Sequence, residues 1–308
     1  MPGRPDVVVA LDAGGTKLLG GLVTVDGEVL GREQVPTPRA DSRCDPGLRE
    51  LRALAGRLAG LATARGHRVR GVGLGMAEYV HDGELTSAEV FAWDDQPREL
   101  LGELLGLPGT AIVAVEADVR CAALAEARAR GLGASGSMLY VSWGTGLSST
   151  LVLDGQCLTG SRGEALALGE WPVDTRADPG WTGTLERFAS GLGVGERYEA
   201  RTGRAASGAD VARLAGAGHV EAELVVTTAA EAVARAVVSL VQVLDPGVVV
   251  LGGGVGAGAG TLPRLVRDLV PSLLTRPDPP AVEPARAGPD AGLLGAGLVA
   301  WQVARVTA

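Results

Sequence analysis

Asparagine is missing from this chain of 308 residues, and lysine occurs once, as Lys17, so nearly every positive charge is an arginine. Aromatic residues are scarce at 3%, and the cysteines number three, Cys44, Cys121 and Cys157. An odd, widely spaced set of cysteines offers no disulfide framework and fits a reducing compartment. No signal-peptide pattern opens the chain and no apolar run reaches the ~18–20 residues of a membrane span, so a cytoplasmic protein with no membrane partner is expected. Positive charge is also in deficit. A net charge of −8 and a pI near 5.1 disfavour a nucleic-acid partner, which would require a basic face. No basic helix-turn-helix precedes the first strand at Val7–Leu11, which disfavours a repressor. Neither a Walker A loop nor the His-Arg-Asp and Asp-Phe-Gly elements of protein kinases occur.

What is present is aliphatic and small. Hydrophobic residues make up 46% of the chain and glycines number 47, a composition suited to parallel α/β layers over two domains. The run Val7–Asp12 enters Ala13-Gly-Gly-Thr-Lys17, a second run ends at Val25, and Asp26-Gly27 turns into Glu28-Val-Leu. Much later Met138–Ser142 enters Trp143-Gly-Thr-Gly146, Leu147–Leu153 follows, and Asp154-Gly155 turns into Gln156-Cys-Leu. Two strand, Gly-Thr turn, strand, Asp-Gly turn, strand units suggest a duplicated domain. The first Gly-rich turn opens a hairpin rather than a helix, which argues against a dinucleotide-binding fingerprint. Helices are expected over Pro46–Arg65, Val119–Arg130, Thr184–Ala200, Gly208–Ala217 and Glu221–Leu244, with a closing helix over Gly292–Val306 that packs on the N-terminal domain. Strands are expected over Gly71–Met76, Val113–Val115 and Val248–Leu251.

Glycine-rich turns after strands let backbone N–H groups approach phosphate oxygens. Three such turns occur: Gly14-Gly15-Thr16-Lys17, Gly144-Thr145-Gly146 and Gly252-Gly253-Gly254. A lone Gly-Gly is only a tight hairpin, but three turns that each follow an apolar strand point to a polyphosphate. Asp12 at the end of the first strand is placed to orient Mg²⁺ through water, and Thr16 and Lys17 to donate to phosphate. Phosphorylation of an alcohol also requires a carboxylate to accept the hydroxyl proton. Asp118, between a strand and a helix start, is the candidate base, and a helix-capping role is the alternative.

These segments resemble the ROK family (repressor, ORF, kinase) over nearly the whole chain. Asp12-Ala-Gly-Gly-Thr-Lys17 is similar to the family's first phosphate motif, Gly144-Thr-Gly146 to its second, and Asp245–Val255 to its adenosine-side segment. Glu116-Ala-Asp118, followed by Ala122–Glu126, resembles the family's catalytic segment, which implies that Asp118 is the base. The resemblance implies an α/β, actin-like ATPase (ribonuclease H-like) duplicated fold whose two domains flank a nucleotide cleft. It places residues 1–116 plus 291–308 in the N-terminal domain and residues 117–290 in the C-terminal one. It also implies ATP and Mg²⁺ as cofactors, Glu170, Glu186 and Glu116 at the substrate, and a homodimer; Glu78 is a further substrate candidate that comes from a departure rather than from the resemblance.

The departures bear on substrate and metal. Glu170 and Glu186 are kept, but Val173 stands for the family's histidine and Ala177, Pro179 and Thr184 for its thiolates, so no zinc site is expected. Packing by Trp171 and Trp181 is expected to hold that loop instead. Ala117 and Val90 replace two substrate asparagines, and Met76-Ala-Glu-Tyr79 replaces a Pro-Gly loop, which leaves Glu78 and Tyr79 as either new contacts or solvated loop residues. Ser148 and Ser149 stand where glycines are usual, so they either perturb nucleotide approach or add hydroxyl donors. His67, His81 and His219 match no family position and are given no role. The expectation is an ATP-dependent kinase of a sugar, amino sugar or sugar-like C7-cyclitol, with glucose not the preferred acceptor. The alternatives are a catalytically weak sugar-binding or regulatory protein and a transferase of another acceptor.

Overall fold

A computed structural model describes residues 5–40, 43–45, 48–105, 112–133, 136–173 and 180–306. The chain divides into two compact units, Met1–Arg128 with Thr159–Ala165 and Asp290–Ala308, and Ala129–Leu158 with Leu166–Pro289. The expected cut at 116/117 moves to 128/129. The reason lies in packing: Cys121, on the helix that follows, is fully buried among Val8, Ala10, Ala296 and Ala300 of the first unit. Thr159–Ala165, which follows the second meander, belongs with the first unit.

In the first unit β1 (Val7–Ala13), β2 (Lys17–Thr24) and β3 (Val29–Pro36) form an antiparallel meander. A small hairpin, β4 (Arg39–Ala40) and β5 (Arg43–Cys44), precedes α1 (Arg49–Ala64), which starts later than expected; Pro46 lies outside the described residues. Strand β6 (Val69–Met76) follows, then a second hairpin, β7 (Val80–His81) and β8 (Glu84–Leu85), helix α2 (Pro97–Leu105), β9 (Ile112–Ala117) and α3 (Asp118–Ala129). The sheet order is β3-β2-β1-β6-β9, with β1, β6 and β9 parallel. Its two faces can be read from adjacent glycines in β2. A Cβ at Gly20 would meet Leu54 and Leu58 of α1, and one at Gly21 would meet Leu293 of the closing helix.

In the second unit β10 (Ser137–Trp143), β11 (Leu147–Leu153) and β12 (Gln156–Cys157) repeat the meander. Helices α4 (Leu185–Ala189), α5 (Gly191–Thr202), α6 (Gly208–Gly216) and α7 (Val220–Leu244) come next, then β13 (Val248–Gly252), the short α8 (Gly253–Gly256), α9 (Thr261–Leu273) and β14 (Ala281–Pro284). The order β12-β11-β10-β13-β14 reproduces that of the first sheet, and the antiparallel and parallel pairs fall at the same places. The duplication expected from the two meanders is therefore a duplication of whole sheets. Helix α7 is apolar and long enough to cross a membrane, but its buried stripe (Val225, Val226, Ala229, Val233, Val237 and Val241) packs in the core with Leu139, Val141 and Val249 of the sheet. Burying each such Val or Leu contributes about 1.5–3 kcal/mol.

The helix expected over 184–200 is two helices. Ser190 ends α4 and caps α5 with its Oγ, which accepts from Gly193 N at 3.1 Å, while Gly191 N donates to Gly144 O at 2.8 Å instead of continuing α4. The closing helix α10 (Ala291–Val306) belongs to the first unit and packs on β1, β6 and β9, as expected.

Candidate active site

In the first unit the parallel strands end level with one another. Asp12 pairs with Gly75, Ala13 with Met76, and Met76 with Ala117, so Asp12 and Asp118 leave the two strands that flank β6. In sheets with parallel strands, ligands bind beyond the carboxyl ends.

The first turn is closed by Gly14 N donating to Lys17 O at 3.1 Å. Its carbonyls are tied from behind. Thr37 Oγ1 donates to Gly14 O at 2.7 Å, Thr37 N donates to Thr16 O at 3.2 Å, and Gly15 O accepts from Arg39 at 3.3 Å and from Cys44 Sγ at 3.4 Å. With the carbonyls occupied and the Gly14 amide spent on the closure, the amides of Gly15 and Thr16 are the ones placed to meet an anion. Asp12 sits against the first turn of α10. A Cβ at Gly292 would lie 2.6 Å from its Oδ2, so glycine is what permits the approach. Burial pushes the Asp12 carboxyl up to about 6, with Lys17 opposing the shift and Asp290 adding to it.

Asp118 opens α3, and its Oδ1 accepts from Val119 N at 2.6 Å, so a link to the helix N-terminus is present. Glu116 Oε1 accepts from Ala117 N at 2.8 Å and from Arg120 Nε at 2.5 Å. Arg120 is a residue that the sequence reading missed. It is 3% exposed and also donates to Gly163 O at 3.1 Å and Val80 O at 2.5 Å, tying the head of α3 to the loop after β6 and to the Thr159–Ala165 segment. The four-residue spacing from Glu116 was the signal that could have found it. Glu78, expected as a new substrate contact or a solvated loop residue, is turned onto its own loop. It is 7% exposed, and both carboxylate oxygens are taken by Ser87 Oγ and by the amides of Glu89, Val90 and Phe91 at 2.5–2.8 Å.

The second unit holds the other candidates. Gly144 N donates to Gly146 O at 2.9 Å, the counterpart of the Gly14 closure. Glu186 Oε2 accepts from Leu147 N at 2.7 Å, and a Cβ on Gly146 would lie 2.7 Å from the same oxygen. Burial raises the Glu186 carboxyl, the Leu147 amide opposes the shift, and Glu170 repulsion adds to it. Glu170 ends a short 3-10 turn, Leu168–Glu170, and is exposed. Gly253 has φ +74°, and a Cβ on Gly144 would come within 3.5 Å of Gly254 N, so the second and third turns adjoin. Thr145 is exposed, its carbonyl accepting from Leu192 N at 3.3 Å. Ser149 Oγ is spent on Leu166 O at 2.7 Å.

Of the residues standing at the zinc-loop positions, Thr184 caps α4, and Ala177 and Pro179 lie outside the described residues. Trp181 packs edge-on against Phe188 at 5.2 Å, and Leu185 N donates to Trp171 O at 2.8 Å. Among the described residues no group of His, Cys, Asp and Glu could hold a metal ion by itself.

Residues 8–303 match the ROK family. An N-acetylmannosamine kinase of Yersinia pseudotuberculosis serotype O:1b (strain IP 31758) is 30% identical over 303 residues, covering 94% of this chain and 97% of that one. The crystal structure of a ROK hexokinase from Thermus thermophilus superposes with a TM-score of 0.80 at 33% identity, over 97% of this chain and 99% of that one. A Streptomyces griseus ROK family glucokinase in complex with glucose and AMPPNP gives 0.74 at 24% identity, over 96% and 99%. These matches establish the actin-like ATPase fold.

Proposed function

The chain belongs to the ROK family and is built as one of its sugar kinases, and from that premise we propose that it transfers the terminal phosphoryl group of ATP to a hydroxyl of a sugar, amino sugar or sugar-like cyclitol. The observation that carries this reading is the level ending of β1 and β9, which sets Asp12 with its glycine turn and Asp118 on either side of β6.

Each residue then has a role. The Asp118 carboxylate accepts the acceptor's hydroxyl proton as that oxygen bonds to the γ-phosphorus, the bond to the bridging oxygen breaks, and ADP leaves with the electron pair. Thr16, Lys17 and the turn amides other than those of Gly14 and Gly144 hold phosphate oxygens, and the close approach that glycine allows suits this task. Bound Mg²⁺ would neutralise charge on the phosphates, and Asp12 fits it through water because a buried carboxylate pushed up to about 6 gains from a cation. Glu170 and Glu186 hold acceptor hydroxyls. The Glu186–Leu147 hydrogen bond supports a link between acceptor binding and the second phosphate turn. The loss of the amide side chains at Ala117 and Val90 supports an acceptor other than glucose.

The test is incubation with Mg²⁺ and ATP across glucose, N-acetylmannosamine, amino sugars and C7-cyclitols, with the product read by ³¹P NMR. One acceptor gaining a single phosphoryl ester supports the reading. ATP binding with no ester on any acceptor would sink it.

A further inference from the structure

We infer that Glu78 is a positioning residue that latches the segment Ser87–Phe91 beside the first phosphate turn and thereby sets the acceptor's fit; the inference rests on the kinase reading for its acceptor and on geometry for its latch. Glu78 lies two residues past the carboxyl end of β6, between the strands that carry Asp12 and Asp118, and the segment it latches follows β8. One Glu78 oxygen accepts from Val90 N at 2.7 Å and Phe91 N at 2.8 Å, the other from Glu89 N at 2.8 Å and Ser87 Oγ at 2.5 Å. Three successive amides converging on one carboxylate form an anion nest, with the protein supplying its own anion. Ser87 extends the latch, since its Oγ accepts from Tyr79 N at 2.9 Å and its carbonyl from Trp93 Nε1 at 3.0 Å.

The latched loop reaches the phosphate turn. Val90 Cγ1 lies 3.3 Å from where a Cβ on Gly15 would stand. Cys44 N donates to Val90 O at 3.0 Å, Ala92 N donates to Cys44 O at 3.2 Å, and Cys44 Sγ contacts Gly15 O at 3.4 Å. Cys44 is thus clamped between loop and turn at 3% exposure. With Glu78 removed, three amides, that of Phe91 buried, and a hydroxyl lose their acceptor, which the folded loop tolerates poorly.

The experiment uses the full chain. In Glu78→Ala, Cys44 is expected to become alkylated by N-ethylmaleimide at least tenfold faster while Cys121, fully buried under α10, stays protected. The KM for the acceptor is expected to rise at least tenfold, with the KM for ATP within about threefold of wild type. Glu78→Gln keeps one acceptor oxygen for two of the amides and is expected to fall between the two. Should Glu78→Ala fail to fold, Ser87→Ala, which removes one donor to Glu78 and the acceptor of Tyr79 N, is expected to show the same split at smaller amplitude. A Cys44 that stays protected in the folded variants would overturn the latch, and an unlatched loop with unchanged acceptor KM would overturn its role in acceptor fit. Absence of wild-type turnover would count against the kinase reading alone, because alkylation reads the latch without catalysis.

Discussion

At the residue scale, Asp12 joins two demands that oppose each other. Its carboxyl titrates at about 6 in the folded chain against an ordinary 3.8, because burial disfavours the charge. The folded state therefore holds the proton more tightly than the unfolded state. The contribution of Asp12 to stability is greatest below 3.8, declines as pH rises to about 6, and stays level above. Asp12→Asn removes that cost, and thermal melts at pH 7.5 should show a gain of about 1–3 kcal/mol, while kcat/KM falls by about a hundredfold or more through loss of the Mg²⁺ position. In the wild type, kcat/KM should rise with pH through an inflection near 6, matching that carboxyl. A stability that does not change in the variant would contradict the burial argument. Gly146 carries a second residue-scale prediction. Gly146→Ala puts a methyl group 2.7 Å from Glu186 Oε2, so the carboxylate or the turn must move, and kcat/KM should fall about tenfold or more with little change in melting temperature. The places of Asp12, Asp118 and the three glycine turns at strand ends were legible in the sequence because each follows or ends an apolar run. The role of Glu78 in its own loop and the reach of Arg120 beyond Glu116 were not, because the partners that define them include backbone groups of loops, and no residue type announces a backbone partner.

At the scale of elements, small residues decide how helices lie on sheets. A Cβ on Gly73 of β6 would collide with the Ala296 carbonyl, and one on Gly295 with the Cys121 carbonyl, so α10 sits directly on β6 and α3. Gly73→Ala should destabilise the first unit by about 3 kcal/mol or more, read by chemical denaturation, whereas Gly56→Ala on α1, where nothing stands within 4 Å, should stabilise by about 0.5–1 kcal/mol. Equal effects would refute the packing account. Most element positions followed from periodicity, but the break between α4 and α5 did not. It arises because Gly191 N turns to Gly144 O, a tertiary hydrogen bond that overrides a helical pattern.

At the scale of the whole molecule, two sheets of one strand order each contribute a glycine turn after their first strand: Gly14–Lys17 in one unit, Gly144–Gly146 in the other. The two meanders made this duplication visible, while the Thr159–Ala165 excursion was hidden because chain membership of a unit depends on packing rather than on pattern. Thr184 caps α4 and Trp181 packs on Phe188, and from these contacts we propose that this stretch is held without zinc. Dialysis against EDTA should leave the melting temperature of the nucleotide-free chain unchanged, and a drop of several degrees would point to a structural metal. The most direct measurement of the central claim is acceptor-dependent ADP release by the wild type beside Asp118→Asn. The account predicts a fall in kcat of about a hundredfold to ten-thousandfold with the KM for ATP little changed. A variant that turns over at the wild-type rate would contradict Asp118 as the base.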